Sequence, residues 1–121
     1  MHEREYRARG DGLQPGLTVE DLRRQVRELK ADKGFDITLE QRLAYLTSEV
    51  GEVAREVLRL SRDGSADAGK MAAEDVASVR ENLGMEIYDV LWNLLDLADL
   101  AGIDLEGAFE KKAQRNEGRE W

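Results

Sequence analysis

Four carboxylates stand in two pairs, Glu49-x-x-Glu52 and Glu86-x-x-Asp89. On a helix that spacing sets the members of each pair one turn apart. Two such turns facing each other bring together hard oxygen donors, which suit Mg²⁺ or Mn²⁺ better than zinc or iron. Magnesium is seldom caged by protein alone and is commonly shared with substrate phosphates, so the pattern points to phosphate chemistry. A cationic counterpart follows downstream: Lys112, Asn116 and Arg119 fall within about 60° of one helical face. Beside an acidic metal site the trio suits phosphate oxygens, although a basic end complementing the helix dipole is its plainer reading taken alone.

Most other chemistry is excluded by residue type. There is no cysteine, hence no disulfide, thiolate metal site or cysteine nucleophile, which fits a reducing cytoplasm. The one histidine, His2, stands beside the N-terminus, so catalytic triads and histidine metal sites lose their imidazole. With 26 acidic against 18 basic side chains among 121 residues, the net charge is -8. That charge argues against a nucleic-acid polymer or an acidic membrane surface as partner. No apolar run approaches the roughly 20 residues that span a bilayer, and the charged N-terminus lacks the core of a signal peptide.

The elements that must position these groups read as helices, and the length suits one domain. Residues 1–16 are charged and Gly-rich, with no hydrophobic period, and read as a tail; the Arg9-Gly10-Asp11 triplet in it is near chance as a motif. Thr18-x-x-Asp21 and Thr38-x-x-Gln41 are capping boxes that open two helices, the first stopped by Gly34 and the second running from about Leu39 to Leu60. Residues 61–69 read as a loop and Met71–Val79 as a short separate helix. A strongly apolar helix covers about Leu83–Ala101 and stops at Gly102, and Asp104 caps a last one, about Leu105–Glu117. No segment alternates with period 2, so the fold class is all-α, a four-to-five-helix bundle with residues 17–121 as its single domain.

Leu43, Leu46, Val50, Val53, Val57 and Leu60 share an arc of roughly 100°, with Glu49 at its edge. In the 83–101 helix, Glu86, Asp89, Asn93 and Asp96 form a polar strip roughly 80° wide on an otherwise apolar rod that should be packed on several sides. Eight acidic residues and no lysine or arginine occur from Glu81 to Glu110. Like charges at this spacing repel, and burial raises the cost. Either basic groups from elsewhere or a metal ion must compensate them. The need for cover on several sides also predicts a dimer or a dimer of dimers.

The blocks Leu46-Thr47-Ser48-Glu49-Val50-Gly51-Glu52-Val53, Met85-Glu86-Ile87-Tyr88-Asp89-Val90-Leu91-Trp92 and Gly102-Ile103-Asp104-Leu105, followed by Lys112, Asn116 and Arg119, resemble the MazG-type all-α nucleoside triphosphate pyrophosphohydrolases over about residues 18–121. The resemblance implies an oligomeric helical bundle that uses Mg²⁺ to hydrolyse an NTP or dNTP to the monophosphate and pyrophosphate, as nucleotide-pool house-cleaning. It makes Glu49, Glu52, Glu86 and Asp89 the metal ligands, with Glu49 and Glu52 catalytic, and Lys112, Asn116 and Arg119 the phosphate-binding residues. Phe35, Tyr88, Trp92 and Asn93 are candidates for touching substrate, with Tyr45 a further aromatic. Two departures stand out: Ser48 occupies the first position of the family's usual double Glu, and residues 61–82 form a long insertion between the motifs. A catalytically silent nucleotide-binding or oligomerisation module of the same fold, and a phosphoribosyl-ATP pyrophosphohydrolase, are the alternatives.

Overall fold

The computed structural model describes residues 17–63 and 73–121. They form four helices with no strand among them: α1 (Val19–Lys33), α2 (Leu39–Asp63), α3 (Ala73–Leu100) and α4 (Leu105–Glu117). The tail at 1–16 and residues 64–72 lie outside the described residues. No described helix is long and apolar enough to cross a membrane.

Local chemistry sets the helix ends. The Thr18 hydroxyl accepts from the Asp21 amide while the Asp21 carboxylate accepts from the Thr18 amide, both at 3.0 Å. Thr38 and Gln41 repeat the exchange at 3.1 and 2.8 Å. Each pair satisfies two amides that a helix start leaves without partners. Gly34 and Gly102 end α1 and α3 with φ of +68°, the left-handed turn that a glycine adopts without a Cβ clash. After Gly102, the Ile103 amide donates back to Ala98 and closes the turn. Asp104 then accepts from the Gly107 amide to start α4.

Residues 61–63, expected to begin a loop, instead continue α2 to Asp63. Residues 71–79 and 83–101 are not two helices; from Ala73 onward the chain is one 28-residue helix. Arg80, Glu81 and Asn82 resemble a polar break, yet the inward stripe Val76, Val79, Leu83, Glu86, Val90, Asn93 and Leu97 keeps its 3-and-4 spacing straight through them. Gly84 lies inside the helix, where glycine costs only about 1 kcal/mol relative to alanine. The stretch 73–82 of the long inter-motif segment therefore belongs to α3.

α3 is the spine. α2 packs along it extensively and α1 more briefly, whereas α4 makes only marginal helix–helix contacts and has no buried residue. Among the described residues the fully covered apolar set is correspondingly small: Val26, Val79, Leu95 and Ala98. The inward face of α2 is rotated relative to its apolar arc. Arg42, Leu46, Glu49, Val53, Glu56 and Leu60 turn toward the body, while Leu43, Val50 and Val57 stay exposed. On α3 the apolar Ile87, Leu91 and Leu94 are likewise exposed, so this helix is not packed on several sides within the chain.

Candidate functional site

The rotation of α2 carries Glu49 into the seam with α3. There the carboxylates of Glu49, Glu86 and Asp89 offer oxygens that all lie within 4.8 Å of one another, each side chain half-buried. Glu86 and Asp89 come from one turn of α3 and Glu49 from the facing turn of α2, as the carboxylate spacing requires. No lysine or arginine among the described residues pairs with any of the three. Burial holds the Glu49 carboxyl above its ordinary value, and the charge of Asp89, a hydrogen bond with Glu86, and the charges of Glu86 and Glu52 push it further the same way. Three acidic oxygen donors without a cation among the described residues match the hard, oxygen-seeking chemistry of Mg²⁺ or Mn²⁺.

Glu52, the fourth carboxylate of the two pairs, lies outside this trio. It is ion-paired within α2 to Arg55 at 2.9 Å. Ser48, next to Glu49, is exposed and also outside the trio.

The rest of the polar strip on α3 has a different fate. Asp96 is wholly buried, 0% exposed, and is held by two cations from other helices: Lys30 Nζ at 2.5 Å and Arg42 Nε at 2.6 Å. Arg42 Nη1 also donates to Asn93 Oδ1 at 2.7 Å. Asn93 Nδ2 donates to the Asp89 backbone carbonyl at 2.7 Å, which joins this network to the acidic trio. One turn further on, Asp99 meets Arg27 at 3.2 Å. Basic groups from elsewhere thus compensate Asp96 and Asp99, whereas no cation among the described residues compensates Glu49, Glu86 and Asp89.

Beside the trio opens a cleft of about 280 Å³ lined by Phe35, Ile37, Arg42, Tyr45, Glu49, Trp92 and Asn93. Phe35 meets Trp92 edge to face, with ring centroids 6.3 Å apart. The Arg42 guanidinium lies 4.9 Å from the Trp92 ring centre and 5.7 Å from that of Tyr45, which couples aromatic faces to a fixed cation. The α1–α2 turn supplies Phe35 and Ile37, so Gly34, by ending α1 sharply, also sets one wall.

Of the residues expected from sequence, Phe35, Trp92 and Asn93 come together in the cleft and Glu49 joins it to the trio. Tyr88 is exposed and lines neither the cleft nor its neighbour around Lys30 and Asp96. Lys112 and Arg119 on the α4 side are exposed and Asn116 is half-buried; none of the three lines either cleft. Arg119 instead lies 4.4 Å from the ring centre of Trp121, itself 87% exposed. Sequence reasoning missed Arg42 and Lys30. Arg42 carried a signal: it stands four residues before Leu46 and seven before Glu49, on the face that turns inward, where an unpartnered arginine would be costly. Lys30 lay in the last turn of α1, where a basic residue passes for a dipole partner.

Comparison with curated proteins gives no match. A family model, the MazG nucleotide pyrophosphohydrolase domain, matches residues 37–120, well over half the chain and both carboxylate pairs. The chain, whose described elements are all helices and set an acidic trio in the seam between two motif helices, belongs to the MazG nucleotide pyrophosphohydrolase family.

Proposed function

We propose that this protein hydrolyses a nucleoside or deoxynucleoside triphosphate to the monophosphate and pyrophosphate, with Mg²⁺ or, in its place, Mn²⁺, as a cytoplasmic house-cleaning enzyme of the nucleotide pool. The observation that carries the reading is the double membership of Glu49, which belongs to the acidic trio and also lines the aromatic cleft. A nucleoside in the cleft then has its phosphates beside the carboxylates. Glu49, Glu86 and Asp89 would hold the metal; when bound, it neutralises triphosphate charge, polarises the attacked phosphorus and acidifies a water. Glu52, one turn from Glu49 and outside the trio, is the carboxylate left to complete the donor set and to accept the water's proton. Lys112, Asn116 and Arg119 would bind phosphate oxygens in the assembled protein, since α4 has no buried residue in the single chain.

Assembly is part of the proposal. Leu43, Val50 and Val57 on α2, with Ile87, Leu91 and Leu94 on α3, are exposed stripes at heptad-like spacing. A second copy of the chain covers them in a dimer or a dimer of dimers, which light scattering measures directly.

Purified protein is incubated with a panel of NTPs, dNTPs, modified nucleotides and phosphoribosyl-ATP, with Mg²⁺ or Mn²⁺, and pyrophosphate release is followed. Glu49→Gln is expected to lose at least about 100-fold in rate, equivalent to roughly 2.7 kcal/mol of barrier. Release no greater than in Glu49→Gln would sink the catalytic claim. Ser48, in place of an acidic residue, favours one second reading, a silent nucleotide-binding module; magnesium-dependent nucleotide binding without turnover is its signature.

A further inference from the structure

Arg42 is an unexpected residue on the inward face of an amphipathic helix. It is 7% exposed, as is Asn93, and both line the aromatic cleft. A guanidinium carries five N–H donors and no acceptor. Nε is engaged by Asp96 and Nη1 by Asn93, while Nη2 hydrogen-bonds to no described residue. Because arginine only donates, the atom of Asn93 it meets must be the carbonyl Oδ1, which turns Nδ2 toward the Asp89 carbonyl. One N–H of Nδ2 is used there and one is left. The buried polar groups of the cleft therefore offer donors. Among the other lining residues, the Glu49 carboxylate belongs to the acidic trio, and the Tyr45 hydroxyl, on an exposed side chain, gives and takes hydrogen bonds alike.

We infer that the cleft selects its nucleobase by carbonyl acceptors, with Arg42 donating to the keto oxygen of a uracil-, thymine- or guanine-type base stacked among Trp92, Tyr45 and Phe35. This rests on the reading of the cleft as the nucleoside site. The keto oxygen of thymine or guanine occupies the edge at which cytosine or adenine carries an exocyclic amino group. An amino group there sets donor against donor and strands buried N–H groups without partners. Asp96 acts through Arg42 as a positioning residue: its carboxylate holds Nε and so orients the planar fork. The cleft thereby combines sequence-tolerant stacking with a polar edge that is not tolerant.

The test is calorimetric titration of the full chain, with Mg²⁺ present, using dUMP, dTMP, dGMP, dCMP and dAMP, which need no turnover to be read. At least one keto nucleotide is expected to bind tenfold to a hundredfold more tightly than dCMP and dAMP, the range of a well-made base contact. Tight dUMP and dTMP identify a pyrimidine site, and tight dGMP a purine site. Arg42→Lys keeps a positive charge near Asp96 but removes the fork, and should level the preference to under about threefold while circular dichroism confirms the fold. If Arg42→Lys does not fold, the wild-type ratios decide. Equal or tighter binding of dCMP or dAMP overturns the inference, as does a preference that survives in folded Arg42→Lys. Keto-selective binding without pyrophosphate release sinks the catalytic reading and leaves this inference standing; hydrolysis without base preference does the reverse.

Discussion

The two ends of the acidic strip on α3 begin from the same chemistry and end differently. At the C-terminal end, Asp96 is buried between Lys30 and Arg42, and Asp99 is paired with Arg27. At the N-terminal end, Glu86 and Asp89 face Glu49 and meet no described cation. The first arrangement is complete within the chain and ties α1 and α2 to the spine. The second gathers like charges with no described base beside them and, in the proposed function, is completed by a cation from solution. Position along one helix face therefore separates an acid that holds helices together from acids left without a described base, and the deciding factor is which neighbouring helix brings one.

The contrast breaks most visibly at Asp96. Replacing it with alanine leaves the buried Arg42 guanidinium without its carboxylate and Lys30 with Asp99 alone, and urea denaturation should show a loss of about 3–5 kcal/mol. A loss under about 1 kcal/mol would mean that the neutralised end is no firmer than a surface ion pair. At the other end the sign reverses. Saturating Mg²⁺, at about 100 times its dissociation constant, should stabilise the wild type by about 2.7 kcal/mol through linkage. Glu86→Gln should abolish that gain while stabilising the metal-free protein, as thermal melts with and without the ion will show.

A smaller effect appears with pH. Glu49 in the metal-free fold binds its proton more tightly than an ordinary carboxyl does, chiefly through burial. The folded state therefore holds more protons than the unfolded state as the group titrates. Its contribution to stability is fully present below the ordinary carboxylate value and is lost as pH rises through the raised one. Denaturation of metal-free protein from pH 4 upward should show this decline, and Mg²⁺ should flatten it. The smallest effect belongs to the Arg55–Glu52 pair, which is largely exposed. Arg55→Ala should change stability by less than about 0.5 kcal/mol; a larger change would give Glu52 a structural role in place of the proposed catalytic one.

Much of this is legible in the amino-acid sequence. The capping boxes at Thr18 and Thr38, the stops at Gly34 and Gly102 and the cap at Asp104 act within three or four residues, and each does what its sequence announces. The carboxylate pairs were legible for the same reason, since their spacing is a property of one helix. The split of α3 at Arg80–Asn82 was misread because local polarity there outweighed a stripe that is apparent only over the whole 28-residue helix.

Local sequence by itself determined the helical class, the caps and glycine stops, and two turns bearing paired acids, because helical period and capping are short-range physics. Tertiary structure alone decided which way α2 rolls on α3, and with it which acids are neutralised. Arg42 and Asp96 are 54 residues apart, and no helical rule reaches that far. The roll that buries Arg42 against Asp96 also turns Glu49 toward Glu86 and Asp89 and leaves Leu43, Val50 and Val57 exposed. One rotation, set by the cost of burying charge without a partner, joins the bound arginine, the acidic trio and the cleft between them.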